Sequence, residues 1–261
     1  MDLVQPFFPV NTSRYYKTTA PGYPIAHFYT YQADAAQMRR THVIPDGCVD
    51  LLFELRDGQA EGWAYGTVTR HWELPAAAGC VWFGVRFQPG WLPAALSVSC
   101  AELVNTRTPL RDCKGGAALC EQVAAKGFRE RIGLVLRYAE DMRGPGEPLQ
   151  SMLTLIERHT GNVRVGQLEA ETHYSSRYIH QLFRRQLGIS TKSFVDFMRF
   201  QLAVIRLNAQ PGKNMAELAV EAGYFDQSHL VKAFRAFADF TPGGYAAAVD
   251  LPNYYRKIVQ V

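Results

Sequence analysis

Two periodicities divide this chain. From about residue 149 onward, apolar residues recur three and four positions apart, the spacing of a buried helix face. Met152, Leu153, Leu155 and Ile156 predict a helix over 149–159, and Leu168 anchors a short one over 165–172. Ile179, Leu182 and Phe183 predict a helix over 176–187 that Ser175 caps and Gly188 ends. Phe194, Val195, Met198, Leu202 and Ile205 mark a long helix over 191–208. Asn214 caps a short helix carrying Met215, Leu218, Ala219 and Ala222, which Gly223 closes. Asp226 caps a further helix in which Leu230, Phe234 and Phe237 are buried; it stops near Asp239, and Thr241-Pro242 restarts the chain.

Before residue 90 the rhythm is different. Pro, Gly and aromatics break short apolar runs, the habit of a β-rich domain. Strands are predicted over 25–31, 48–55, 63–68 and 80–87, the last apolar enough to be central. Pro45-Asp46-Gly47 and Asp57-Gly58 read as turns. Short helices are expected over 92–96, 101–104 and 116–125. A clearer one, over 128–142, carries Phe128, Ile132, Val135, Leu136, Ala139 and Met142 on one face. That face either packs on its own domain or pairs with a second copy. Gly and Pro crowd residues 143–148, and the domain break is placed there. The expected division is 1–142, a linker at 143–148, 149–250, and a tail at 251–261. The tail either docks on the domain or adds a phosphate contact.

Charge sharpens the division. Residues 1–147 hold 15 Lys+Arg against 15 Asp+Glu, and residues 148–261 hold 13 against 9, so the whole excess of +4 lies in the helical half. Over 175–206 six basic residues face one acidic residue. A basic stripe of this kind is either a solvated helix face or a nucleic-acid footprint. No apolar run reaches the length of a membrane span, and the opening MDLVQPFFPV lacks a basic start and a long apolar core, so a cytoplasmic protein is expected. The five cysteines, Cys48, Cys80, Cys100, Cys113 and Cys120, form no CxxC pair and fit no zinc site. They are buried thiols, or Cys100, Cys113 and Cys120 form a thiol sensor.

Burying Leu230, Phe234 and Phe237 turns Gln227, Ser228, His229, Lys232, Ala233 and Arg235 outward, a set suited to base edges and phosphates. Short helix, glycine turn and polar-fronted second helix is the helix-turn-helix pattern. The segment GYFDQSHLVKAFRAFADFTPGGY resembles the second helix-turn-helix of AraC/XylS-type transcription regulators, and SSRYIHQLFRRQLGIS resembles the first. Three positions depart from the family pattern: Asp239 and His173 stand where glycine is usual, and Glu169 where alanine is usual. A carboxylate in that seam must find a partner or solvent. The match implies base contacts from Arg177, His180, Gln181, Gln227, Ser228, His229 and Lys232, and phosphate contacts from Arg184, Arg185, Lys192 and Arg235.

IPDGCVDLLFEL and FGVRFQPG resemble the N-terminal domain of a subgroup of the same family. That resemblance implies a barrel-like sensor and dimerisation domain. The expected fold is therefore α+β in two domains, β-rich with helices and then all-α with two helix-turn-helix units. Trp82, Arg86, Phe87 and Trp91 are a candidate effector pocket; core packing with the arginine head reaching water is the alternative. No H-E-x-x-H, nucleophile elbow or P-loop occurs, so a non-enzyme without metal or cofactor is expected. The expected partners are double-stranded DNA, a small effector, a second copy and RNA polymerase, and no membrane. The rivals are a regulator whose first domain only dimerises or docks a protein, and a DNA-repair or thiol-transfer enzyme with an attached DNA-binding domain.

Overall fold

The computed structural model describes residues 3–34, 40–75 and 79–261; Met1 and Asp2 of the opening stretch lie outside it. After a short helix α1 (Phe7–Val10) come β1 (Tyr15–Thr18), β2 (Ile25–Gln32), β3 (Arg40–Val43), β4 (Asp50–Arg56), β5 (Gln59–Tyr65), β6 (Trp72–Pro75), β7 (Val81–Phe87), β8 (Leu92–Pro93) and β9 (Arg107–Pro109). Helices α2 (Gly116–Ala124) and α3 (Phe128–Tyr138) and strand β10 (Met142–Arg143) complete this half. The helical half holds α4 (Glu147–Arg158), α5 (Val165–Thr172), α6 (Ser176–Leu187), α7 (Thr191–Ala209), α8 (Met215–Glu221), α9 (Gln227–Ala238), α10 (Pro242–Ala248) and α11 (Leu251–Tyr254). The chain then returns to the first half as strand β11 (Ile258–Gln260).

The main sheet runs β11-β1-β2-β7-β4-β5-β9, so the most apolar strand, β7, is indeed central. Its alternate residues feed two cores. Phe83, Val85 and Phe87 join Phe28, Leu51 and Phe53 on the face covered by α2 and α3. Trp82 joins Tyr29, Tyr31 and Leu52 on the face covered by α1 and the β3–β6 pair. Gly84 makes this possible, because a Cβ there would lie 2.2 Å from the Tyr29 ring. The Asp57-Gly58 turn joins β4 to β5 with both residues at positive φ, 50° and 75°.

Several expectations in this half need correction. Residues 92–96 are not an α-helix: Pro93 is extended, Leu92–Pro93 pair with Met142–Arg143, and only Ala94–Leu96 coil. Residues 101–104 form turns, hemmed in by left-handed Ser97 and Asn105. The strand expected at 63–68 begins at Gln59 and ends at Tyr65. α3 stops at Tyr138, and its apolar face rests on its own sheet: Phe128 meets Phe83 edge-on at 6.1 Å, and Leu134 and Val135 are buried. The face considered for a second copy is therefore occupied within the chain.

The helical half matches its sequence pattern more closely. α7, 19 residues and about 28 Å long, buries residues on most of its circumference and runs between two clusters. One holds α4, α5 and α6, the other α8, α9 and α10. Pro148 is not linker but the second residue of α4, where a missing N–H costs nothing.

The two halves are closely joined. Leu3 and Cys48 enter the first helical cluster, Phe7 and Ile44 the second. Gln201 of α7, fully buried, accepts a hydrogen bond from the Val4 N–H (2.9 Å) and donates to the carbonyls of Val4 (3.2 Å) and Pro45 (3.0 Å). A Cβ on Gly188 (φ 73°) would lie 2.7 Å from Ala101 Cα. The tail docks as β11, parallel to β1, with Tyr15 opposite Ile258. It makes its contacts on the β-rich half rather than on the helical domain alone.

Candidate nucleic-acid interface

Each putting-together of two helices is closed by a local device. In the first unit α5 ends at His173, whose φ of 59° is left-handed, the geometry for which glycine is usual. Ser175 caps α6, its hydroxyl accepting from the Tyr178 N–H. Glu169 finds the partner its position demands: its carboxylate accepts from the Ser176 N–H at 2.5 Å, satisfying an otherwise open donor at the start of α6. The departure from a small residue thus ties α5 to the N-terminus of α6. In the second unit Asn214 accepts from the N–H groups of Ala216 and Glu217, Gly223 turns at φ 76°, and Asp226 accepts from the His229 N–H at 2.7 Å. Asp239 ends α9 at φ 63°, and Thr241 caps α10.

These devices aim α6 and α9 outward. On α6, Ile179, Leu182, Phe183 and Leu187 are buried, while Arg177, His180, Gln181, Arg184 and Arg185 are exposed. On α9, Leu230 and Phe234 are buried, while Gln227, Ser228, His229, Lys232 and Arg235 are exposed. Phe237 is only partly covered; it meets Phe197 edge-on at 5.5 Å and Phe200 at 5.3 Å. Ala233 is half-buried rather than outward. Arg177, Arg184, Arg185, Lys232 and Arg235 have no ion pair or side-chain hydrogen bond among the described residues, so their donors face solvent. His180 Nδ1 lies 3.1 Å from Thr191 Oγ1, which orients the ring of this exposed residue. Lys192 pairs with Asp196 at 3.0 Å on its own helix; with 81% of its side chain exposed, that bond exchanges readily.

Sequence reasoning missed the aromatics of this surface. Phe225, at the turn into α9, is 90% exposed, and Tyr174 and Tyr178 are each 38% exposed with ring centroids 5.0 Å apart. For Phe225 and Tyr174 the signal was available as an aromatic residue placed directly before a helix cap, Asp226 and Ser175.

The four residues of the candidate effector pocket do not assemble. Trp82 and Phe87 belong to opposite faces of the sheet, and both are buried in its cores. Arg86 borders only a small cavity of about 20 Å³, shared with Asp46 and Asp50, and does not reach water. It is 1% exposed, with Nε 2.9 Å from Asp50 Oδ1 and Nη1 3.1 Å from Asp46 Oδ2. Burial opposes its charge, but the carboxylates of Asp50 and Asp46 outweigh it and hold the guanidinium protonated. Trp91 lines a different and larger cavity, of about 510 Å³, between the two halves. All five cysteines are free and buried, and burial pushes the Cys100 thiol up to about 11, so it is poorly poised as a thiolate. Among the described residues no group of His, Cys, Asp and Glu is arranged to hold a metal, and no helix is long and apolar enough to cross a membrane.

Residues 168–248 match the family described as "Helix-turn-helix domain", and residues 24–109 match a "Domain of unknown function (DUF6597)". The HTH-type transcriptional regulator MtrA of Neisseria gonorrhoeae is 25% identical over 91 residues, 35% of this chain and 30% of that protein. An uncharacterized HTH-type transcriptional regulator of Haemophilus influenzae is 23% identical over 101 residues, 39% of this chain and 34% of that protein. The match spans about a third of the length of these relatives. Among solved structures, an AraC-type regulator from Chromobacterium violaceum covers 40% of this chain and 94% of its own, with 20% identity and a TM-score of 0.37. ToxT from Vibrio cholerae covers 85% and 97%, with 9% identity and a TM-score of 0.47.

Proposed function

We propose that this chain, whose residues 168–248 form a helix-turn-helix domain of the AraC type, is a sequence-specific DNA-binding regulator of transcription. The observation that carries this reading is the pairing of two capped helices, α6 and α9, on one long spacer helix, α7, each presenting cations without partners among the described residues. Two such helices read adjacent major-groove segments when they lie about one DNA turn, roughly 34 Å, apart. Arg177, His180, Gln181, Gln227, Ser228, His229 and Lys232 then meet base edges. Arg184, Arg185, Lys192 and Arg235 meet phosphates, which supply most of the affinity and make it salt-dependent. The reading is one of binding without catalysis, in the cytoplasm, with a second copy of the chain and RNA polymerase as the other macromolecular partners.

The test is fluorescence anisotropy of the full chain against its own upstream DNA and a scrambled duplex across a salt series. Tight, selective binding that weakens steeply with salt is expected. Equal and weak binding to both duplexes, with and without cell extract, would overturn the reading.

Control by a small effector is part of the proposal, with the interdomain cavity as its site in place of the residues around Arg86. Ile25 and Trp91 of the first half, Pro145 of the linker, and Leu153, Phe194 and Met198 of α4 and α7 form its apolar wall. A volume of about 510 Å³ at a domain boundary suits a small, largely apolar molecule. Such a ligand touches both halves, so it favours one arrangement of them over another. Melting shifts with a metabolite panel, abolished by Leu153→Trp, separate this from a first domain that only dimerises or docks a protein.

A further inference from the structure

Phe225 has no task inside the fold. It stands directly before Asp226, the cap of α9, and is 90% exposed. An apolar residue in that place ordinarily packs on the fourth residue of its helix. Here that residue, Leu230, is fully buried while Phe225 stays in solvent. The adjoining aromatic, Tyr224, is the one that turns inward: it is 6% exposed and edge-on to the His229 ring at 5.1 Å. The residue in the same place of the first unit, Tyr174, at least leans on Tyr178.

What surrounds Phe225 says what covers it. It adjoins the N-terminal end of α9, where Gln227 and Ser228 are exposed, and Lys232 and Arg235 follow on the same helix without partners among the described residues. The nearest acid, Asp226, is engaged as the cap. A surface of amides and unpaired cations calls for a polyanion. The N-terminal end of a recognition helix meets base edges in the major groove, where the apolar group on offer is the thymine 5-methyl.

We infer that Phe225 is a specificity-determining residue that reads a thymine 5-methyl group in the half of the DNA site bound by the second helix-turn-helix unit. This rests on the DNA-binding reading above. The full chain is used to select a duplex from a random pool. Each thymine in that duplex is then replaced singly by deoxyuridine, which removes only the methyl. Anisotropy at one salt concentration compares the native chain with Phe225→Ala. One replacement should weaken native binding about fourfold. Phe225→Ala should weaken binding to a similar degree and no longer respond to that replacement, with an unchanged melting temperature because the ring makes no core contact. Native affinity in Phe225→Ala overturns the inference and leaves the ring to a protein partner. So does weaker binding in which the deoxyuridine penalty persists undiminished, which would make the ring a backbone contact. A native chain that selects no duplex at all overturns the DNA-binding reading itself.

Discussion

Single side chains divide here between those left to solvent and those that hold the fold. Arg177 and Lys232 are exposed and without ion pairs among the described residues, so their removal should leave the fold intact. Arg177→Ala and Lys232→Ala are each expected to weaken binding to the cognate duplex by about 1–3 kcal/mol while leaving random DNA less affected. Equal losses on both duplexes, read by anisotropy, would reassign them to phosphates. Arg86 is the opposite case. Arg86→Ala strands Asp46 and Asp50 in the interior, and breaking a buried pair this way costs about 3–5 kcal/mol; urea unfolding measures it. His27, 3% exposed, adds a pH dependence. Burial first, then Lys17 and Arg86, lower its pKa well below the usual 6.5. The unfolded chain therefore takes up a proton at a pH where the folded chain does not. Stability is full above about pH 6.5 and falls as the pH drops below it. Melting temperatures at pH 7 and pH 5 should show the loss, and His27→Gln should reduce it.

At the scale of elements, caps and edges decide. α9 begins at a single carboxylate, so Asp226→Ala should cost about 1 kcal/mol of stability and weaken DNA binding as the helix start frays; circular dichroism melts together with anisotropy check both. β11 is a different kind of element. Its three residues have no helical or strand period long enough to be recognised in isolation, and they became a strand only because β1 offered an unpaired edge. Removing residues 258–261 reopens that edge, takes the half-buried Ile258 off the core that holds Tyr15 and Trp82, and should lower stability by about 1–3 kcal/mol in urea unfolding. Unchanged stability would mean that the pairing is incidental.

On the scale of the molecule, a domain break at 143–148 implies that residues 1–142 are dispensable for folding the helical domain. The shared cores lead to a different outcome. Leu3, Phe7, Ile44 and Cys48 fill the two helical clusters from the other half, and Gln201 is satisfied entirely by backbone from Val4 and Pro45. A fragment of residues 144–261 exposes those surfaces and leaves a buried amide without partners. It should retain helix by circular dichroism but melt well below the full chain. The same joint walls the cavity of about 510 Å³, which is why a ligand there bears on both halves at once.

The helical half was legible because its determinants are local. Ser175, Asn214, Asp226 and Thr241 cap what their positions predict, and Gly188 and Gly223 turn where left-handed backbone is needed. Amphipathic spacing then fixes which face of α6 and α9 is left exposed. The centre of the sheet was legible for a similar reason, since a strand apolar on both faces, such as β7, has only one place to go. What the chain pattern did not contain is pairing at a distance. Arg86 looked like a pocket residue beside its aromatic neighbours, yet strand alternation sends Phe87 to the other face, and carboxylates 36 and 40 residues away claim the guanidinium. Phe225 drew no reading from the sequence, and only folding shows that Tyr224 turns inward while Phe225 stays outside. The tail strand and the interdomain cavity likewise exist only once distant segments meet. Local sequence determined the exposed faces of α6 and α9; tertiary packing alone decided how the β-rich half grips the helical one, because contacts between remote residues leave no periodic trace along the chain.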